Sequence, residues 1–132
     1  MIDPQDRKTW PAGDKLWELA QAIAIAEGYN VKDSNPARLC NPGDLSDGYH
    51  MYGGEYHSGS SVTKFPDQET GWKWLRDKLE NIFQGKSDVY QTWMTFTDLA
   101  KRWSGNWQPW MYNVTRQLGV DEDQTLDDWY SL

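Results

Sequence analysis

Residues 16–28, LWELAQAIAIAEG, end in a carboxylate placed where a helix least favours one. Leu16, Ala20, Ile23 and Glu27 are spaced 4, 3 and 4 apart, so they fall on one helical face, and that face is otherwise apolar. Gly28 is the expected left-handed stop, which leaves Glu27 at the negative end of the helix dipole. An apolar setting and a negative helix end both disfavour ionisation, so both are expected to raise the pKa of Glu27. A carboxylic acid kept protonated near neutral pH is suited to general-acid chemistry. The plainer alternative is a Glu that frays into solvent at a helix end.

Other constellations are weaker. His50 and His57 flank Glu55, but their spacing fits neither HExxH nor a zinc knuckle, so no metal and no cofactor is expected. Hydrogen-bonded hairpin histidines account for them. Cys40 with either histidine would make a thiol nucleophile pair, yet a lone Cys beside a turn reads more simply as a small half-buried residue. Asp121, Glu122 and Asp123 read as a solvated acidic linker.

The elements that must position Glu27 belong to a chain of 132 residues, one domain by length, with residues 1–13 as an irregular lead-in broken by Pro4, Pro11 and Gly13. A net charge of −7 argues against a nucleic-acid partner. The polar N-terminus shows neither signal peptide nor membrane span, so no membrane insertion is expected. One cysteine excludes an internal disulfide. Nine Trp, seven Tyr and three Phe exceed ordinary usage. Most of these rings belong to the core, and some are available to line a groove, because flat rings stack on the C–H faces of sugars.

In chain order, Asp14 is the N-cap of a helix running to about Glu27, and residues 29–39 read as loop. Asn41-Pro42-Gly43-Asp44 is a turn signal. Residues 49–52 and 61–65 are candidate strands of a small β-hairpin. Asp67 caps a helix carrying Trp72, Leu75, Leu79 and Ile82 that Gly85 stops. Ser87 starts a short helical turn through Trp93. Thr95 and Asp98 form a capping box with Met94 and Leu99 as the staple, and that helix ends by Gly105. Pro109 sits in the first turn of the next helix, Gly119 closes it, and Thr125 caps a last short one. The expected fold is α+β and predominantly helical, in one body.

These residues carry a resemblance. A helix ending Ala26-Glu27-Gly28, the run Asn41-Pro42-Gly43-Asp44-Leu45, a hairpin, the segment 64–72 (KFPDQETGW) and Trp103-Ser104-Gly105-Asn106 together resemble a lysozyme-like domain of the soluble lytic transglycosylase type, found in bacteria and phages. The likeness covers residues 16–126. It implies a lysozyme-like fold with a small β-hairpin after the first long helix, and cleavage of the β-1,4 link between N-acetylmuramic acid and N-acetylglucosamine in peptidoglycan. It places the general acid at Glu27 and groove contacts at Asn41, Asp44, Ser104 and Asn106. Tyr49 and Tyr56 of the hairpin stretch are counted with them. Trp107, read as lying in a turn, is the expected sugar-stacking platform, whereas the register of Trp103 with Phe96, Leu99 and Ala100 gives it a core role. The implied partner is the glycan strand, bound by a monomer that reaches the wall through phage lysis, a virion or non-classical export.

The family pattern usually runs Asn-Asn-Pro-Gly-Asn, whereas this chain has Cys40 ahead of Asn41 and Asp44 in place of the last Asn. Asp44 is therefore either a water-activating base or a turn residue, with the turn reading ahead. Glycosidases that use two carboxylates hold them at a defined separation, and Asp44, Asp47, Glu55, Asp67 and Glu69 all qualify by type. Asp67 has a sufficient job as an N-cap. In lytic transglycosylases one acid/base suffices because the substrate's own 6-hydroxyl attacks, and the missing second carboxylate favours that chemistry. The alternative is a catalytically silent lysozyme-like module that only binds glycan, such as a phage structural component.

Overall fold

A computed structural model describes residues 14–46, 55–56 and 62–132. Within them lie six helices and one pair of two-residue strands: α1 (Lys15–Ala26), α2 (Asn35–Arg38), β1 (Glu55–Tyr56), β2 (Thr63–Lys64), α3 (Gln68–Phe83), α4 (Phe96–Trp103), α5 (Trp107–Leu118) and α6 (Leu126–Tyr130). The body is predominantly helical.

The local signals that start and stop these helices act as their chemistry requires. Asp14 accepts from the Leu16 and Trp17 amides, Asp67 from Thr70, and Thr125 from Asp128, each satisfying amides that the first helical turn leaves open. Thr95 and Asp98 form a full capping box, each side chain accepting from the other's backbone N–H. Gly28, Gly85 and Gly119 take positive φ at the ends of α1, α3 and α5.

α1 packs on both α5 and α3, and α4 packs on α5. Leu19, Ala20, Ile23, Trp72, Leu75, Leu79, Leu99, Trp110 and Val114 fill the space between. Arg76 of α3 reaches back to the Asp14 cap at 3.1 Å and to Glu80 at 3.0 Å, tying α3 to the start of α1. At the other end of the chain, Thr95 and Thr125 pair as an isolated bridge, and Lys15 donates to the Trp129 carbonyl, docking α6 onto α1.

Two expectations need correction. Residues 29–39 are not all loop: Ser34 caps the single helical turn α2, where Pro36 serves as an N-terminal residue whose missing N–H costs nothing. Residues 87–93 do not form a helical turn. The Ser87 hydroxyl instead accepts from the Val89 and Tyr90 amides, a local side-chain turn that competes with helix. Within the expected strand at 61–65, Thr63–Lys64 pairs antiparallel with Glu55–Tyr56, and the other expected strand, residues 49–52, lies outside the described residues.

Candidate functional site

Glu27 occupies the C-cap of α1, and its backbone is fixed there. The Gly28 amide donates to Ile25 at 3.1 Å and the Tyr29 amide to Ala24 at 3.0 Å, the paired bonds of a Schellman ending, with Gly28 at φ 81°. The neighbouring Tyr29 is buried against Trp72, edge to face at 5.3 Å between centroids. The carboxyl of Glu27 is therefore carried by a rigid terminus, half-buried, and aimed at α5.

Across from it Trp110, buried on α5, donates its indole N–H to Glu27 Oε1 at 2.7 Å. Trp103, at the end of α4, stacks on Trp110 at 5.8 Å and donates its own indole N–H to the Gly43 carbonyl at 3.1 Å. Tyr90 packs on the other side of Trp103 at 5.4 Å. A row of three rings thus runs from Glu27 to the turn at 41–44.

That turn brings the second carboxylate. The Asp44 amide donates to the Asn41 carbonyl at 3.1 Å, and Asp44 itself sits at φ 51°, in the left-handed region that Asp tolerates better than most residues. Asn41 locks the turn: its Oδ1 accepts from the Leu45 amide, and its Nδ2 donates to the carbonyls of Leu45 and Thr63, all within 3.0 Å. Close packing beneath demands glycine twice. A Cβ on Gly43 would stand 2.9 Å from the Leu75 side chain, and one on Gly71 would stand 1.8 Å from the Cys40 carbonyl.

The turn sets Asp44 near Glu27, close enough for each carboxyl to act on the other's ionisation. Burial, then the charge of Asp44, push the Glu27 pKa up to about 7, while the Trp110 hydrogen bond pulls the other way. Burial also raises Asp44, and its hydrogen bond with Glu27 lowers it. Near neutral pH Glu27 therefore stands close to its transition, with the Asp44 carboxyl beside it. Beside it opens a hollow of about 160 Å³ lined by Asp44, Ser46, Lys78, Tyr90, Arg102 and Trp103.

The structure redistributes the remaining expected residues. Asn41 is fully buried with its amide committed to the turn, so it positions Asp44 and is not a groove contact. Trp107 is the first residue of α5, not a turn residue. Its ring packs on the core edge, and Lys101 covers it at 4.9 Å. Ser104 caps the end of α4 and accepts from the Asn106 amide, with Asn106 exposed at the start of α5. Glu69 is exposed in the first turn of α3, where its charge complements the helix dipole. Cys40 carries a thiol that burial holds above its usual pKa, which disfavours the nucleophilic thiolate. Tyr49, Asp47, His50 and His57 lie outside the described residues, as do the side chains of Glu55 and Tyr56.

Trp110, Trp103, Tyr90, Lys78 and Arg102 are site residues that sequence reasoning did not assign. The signal for Trp103 was present in the cluster around Gly105, but its register with Phe96 and Leu99 pointed to the core. Among the described residues no three His, Cys, Asp or Glu side chains are grouped to hold a metal, and no helix is long and apolar enough to cross a membrane. Comparison with known protein families, with curated proteins and with solved structures finds no match to this chain.

Proposed function

We propose that this protein cleaves the β-1,4 link between N-acetylmuramic acid and N-acetylglucosamine in peptidoglycan, with Glu27 as the single general acid/base. The observation that carries the reading is a carboxyl with a pKa of about 7 on a rigid helix end, next to Asp44, which lines an open hollow. Such a group is protonated and close to its transition at neutral pH, where general acid–base catalysis is most effective. It gives its proton to the leaving glycosidic oxygen. As a carboxylate it then takes the proton of the muramic 6-hydroxyl while that oxygen closes on C1, so the same residue serves both steps.

The placement of Asp44 supports this chemistry over two-carboxylate hydrolysis. In the glycosidase templates the carboxyls flank the bond at roughly 5 to 9.5 Å. The direct coupling of Asp44 to the ionisation of Glu27 fits a neighbouring pair better than two carboxyls that flank a linkage. Asp44 then adds its charge to the burial that keeps Glu27 protonated, and its own role is electrostatic. Mass spectrometry of digested walls tests the assignment: 1,6-anhydro-muramic ends are expected. Hydrated reducing ends alone would mean a hydrolase in which Asp44 moves away to activate water. Glycan binding with no wall clearing would leave a silent binding module.

A further inference from the structure

The hollow beside the carboxylate pair has a feature that proton transfer does not use. Lys78 of α3 and Arg102 of α4 line it together with Asp44, Tyr90 and Trp103. The chain carries −7, so a chance surface hollow here would more often be lined by acid than by two cations. Lys78 is half-buried, with its ammonium 5.9 Å from the centre of the Tyr90 ring. Arg102 is exposed and, among the described residues, makes no ion pair with a carboxylate. It also lines a neighbouring hollow of about 330 Å³ with Trp93, Met94, Asp98 and Lys101, so the positive lining continues along α4.

We propose that Lys78 and Arg102 form a carboxylate-binding subsite, so that the protein selects acidic glycans over neutral ones of the same ring structure. This rests on the glycan-cleaving reading of Glu27 and names what the same groove recognises. A sugar bound in the hollow would present a substituent carboxylate to the guanidinium and the ammonium. Arg supplies a planar fork for two parallel hydrogen bonds and Lys a point charge. The unusual pairing of acid and base in one small hollow has a physical logic. Asp44 repels an anion, so an acidic substrate binds only where its charge is held away from Asp44 by the cations. That fixes which sugar of the chain sits over Glu27.

The test uses the full chain carrying Glu27→Gln, so that binding is read without turnover. Two tetrasaccharides are compared by titration calorimetry: chitotetraose, and the alternating N-acetylglucosamine–N-acetylmuramic acid tetramer with free lactyl carboxylates. A third ligand, the same tetramer with its carboxylates amidated, keeps the shape and removes the charge. Charge-assisted hydrogen bonds make about a tenfold or greater preference for the acidic tetramer reasonable. The preference should shrink with salt. Arg102→Gln and Lys78→Gln should each erode it, lowering affinity for the acidic tetramer severalfold more than affinity for chitotetraose. Circular dichroism confirms that each variant is folded. Equal affinity for the acidic and amidated tetramers would overturn the subsite, as would a preference that survives both substitutions. Either result leaves the role of Glu27 intact if Glu27→Gln has also stopped wall clearing. No binding to any of the three sugars would remove both readings.

Discussion

At the scale of single residues, burial lifts the Glu27 pKa most, and two neighbours act on it in opposite directions. Asp44 raises its pKa by charge and by accepting its proton, and Trp110 lowers it by donating to the carboxylate. Asp44→Asn removes the charge, so the Glu27 pKa should fall below about 7, while burial still holds it above the ordinary carboxylate value of 4.5. The alkaline limb of the activity profile should move to lower pH with it. Asn also tolerates the positive φ at this position, so the fold should be unharmed. Trp110→Phe should do the reverse, raising the Glu27 pKa and moving the limb to higher pH. Carboxyl NMR titration of Glu27 in the two variants reads both shifts. Equal or same-direction shifts would contradict the opposition described here.

At the scale of elements, the tightest constraint is the crossing of α3 over the loop at 40–43. Gly71→Ala would drive a methyl into the Cys40 carbonyl, and since that atom is backbone the loop must move. Overpacking of this kind costs about 1–3 kcal/mol or more, and chemical denaturation should show at least that loss. Cys40→Ser, by contrast, should leave fold and clearing largely intact, because the thiol has no chemical role in the site. Trp107→Ala should cost about 2 kcal/mol or more, as its ring packs on the core edge under Lys101. An alanine variant as stable as the parent would restore Trp107 to a free platform.

The same scale shows what the sequence made legible. Helix starts at Asp14, Asp67, Thr95 and Thr125 and stops at Gly28, Gly85 and Gly119 follow from local hydrogen bonding, and these bonds are made within three or four residues. α2 was not legible because Ser34-Asn35-Pro36 is equally a turn signal and a helix start, and tertiary packing of Pro36 decides. The site divides in the same way. Glu27 was legible from the face it shares with Leu16, Ala20 and Ile23. Trp110 and Trp103 were not, because their bonds span 83 and 60 residues. Asp44 was visible as a turn residue, but only the folding of that turn onto the end of α1 makes it the partner of Glu27.

At the scale of the whole molecule, the buried pair should impose a pH signature on stability. Glu27 has a folded pKa raised above its unfolded one, so between about pH 4.5 and 7 the native state holds more protons than the unfolded chain. Native stability is therefore fullest below this window and declines as pH rises through it, by roughly 2 kcal/mol once solvent screening is allowed for. The parent protein should melt progressively lower from pH 4.5 to 7, against the usual trend for paired carboxylates. The other acids of this chain add their own slopes. The difference between parent and Glu27→Gln isolates the one that matters.

The most direct measurement of the central claim is the rate of peptidoglycan clearing by Glu27→Gln beside the parent, at pH 7 and with melting followed in parallel. Positioned acid–base catalysis contributes about 10²–10⁴ in rate, so clearing should fall by at least that range. The variant should meanwhile match or exceed the parent's melting temperature, with an advantage that grows from acid to neutral pH. A Gln variant that clears walls at near-parental rate and melts below the parent at neutral pH would contradict the account. Glu27 would then be a structural partner of Trp110 and Asp44, and not the acid of a glycan-cleaving site.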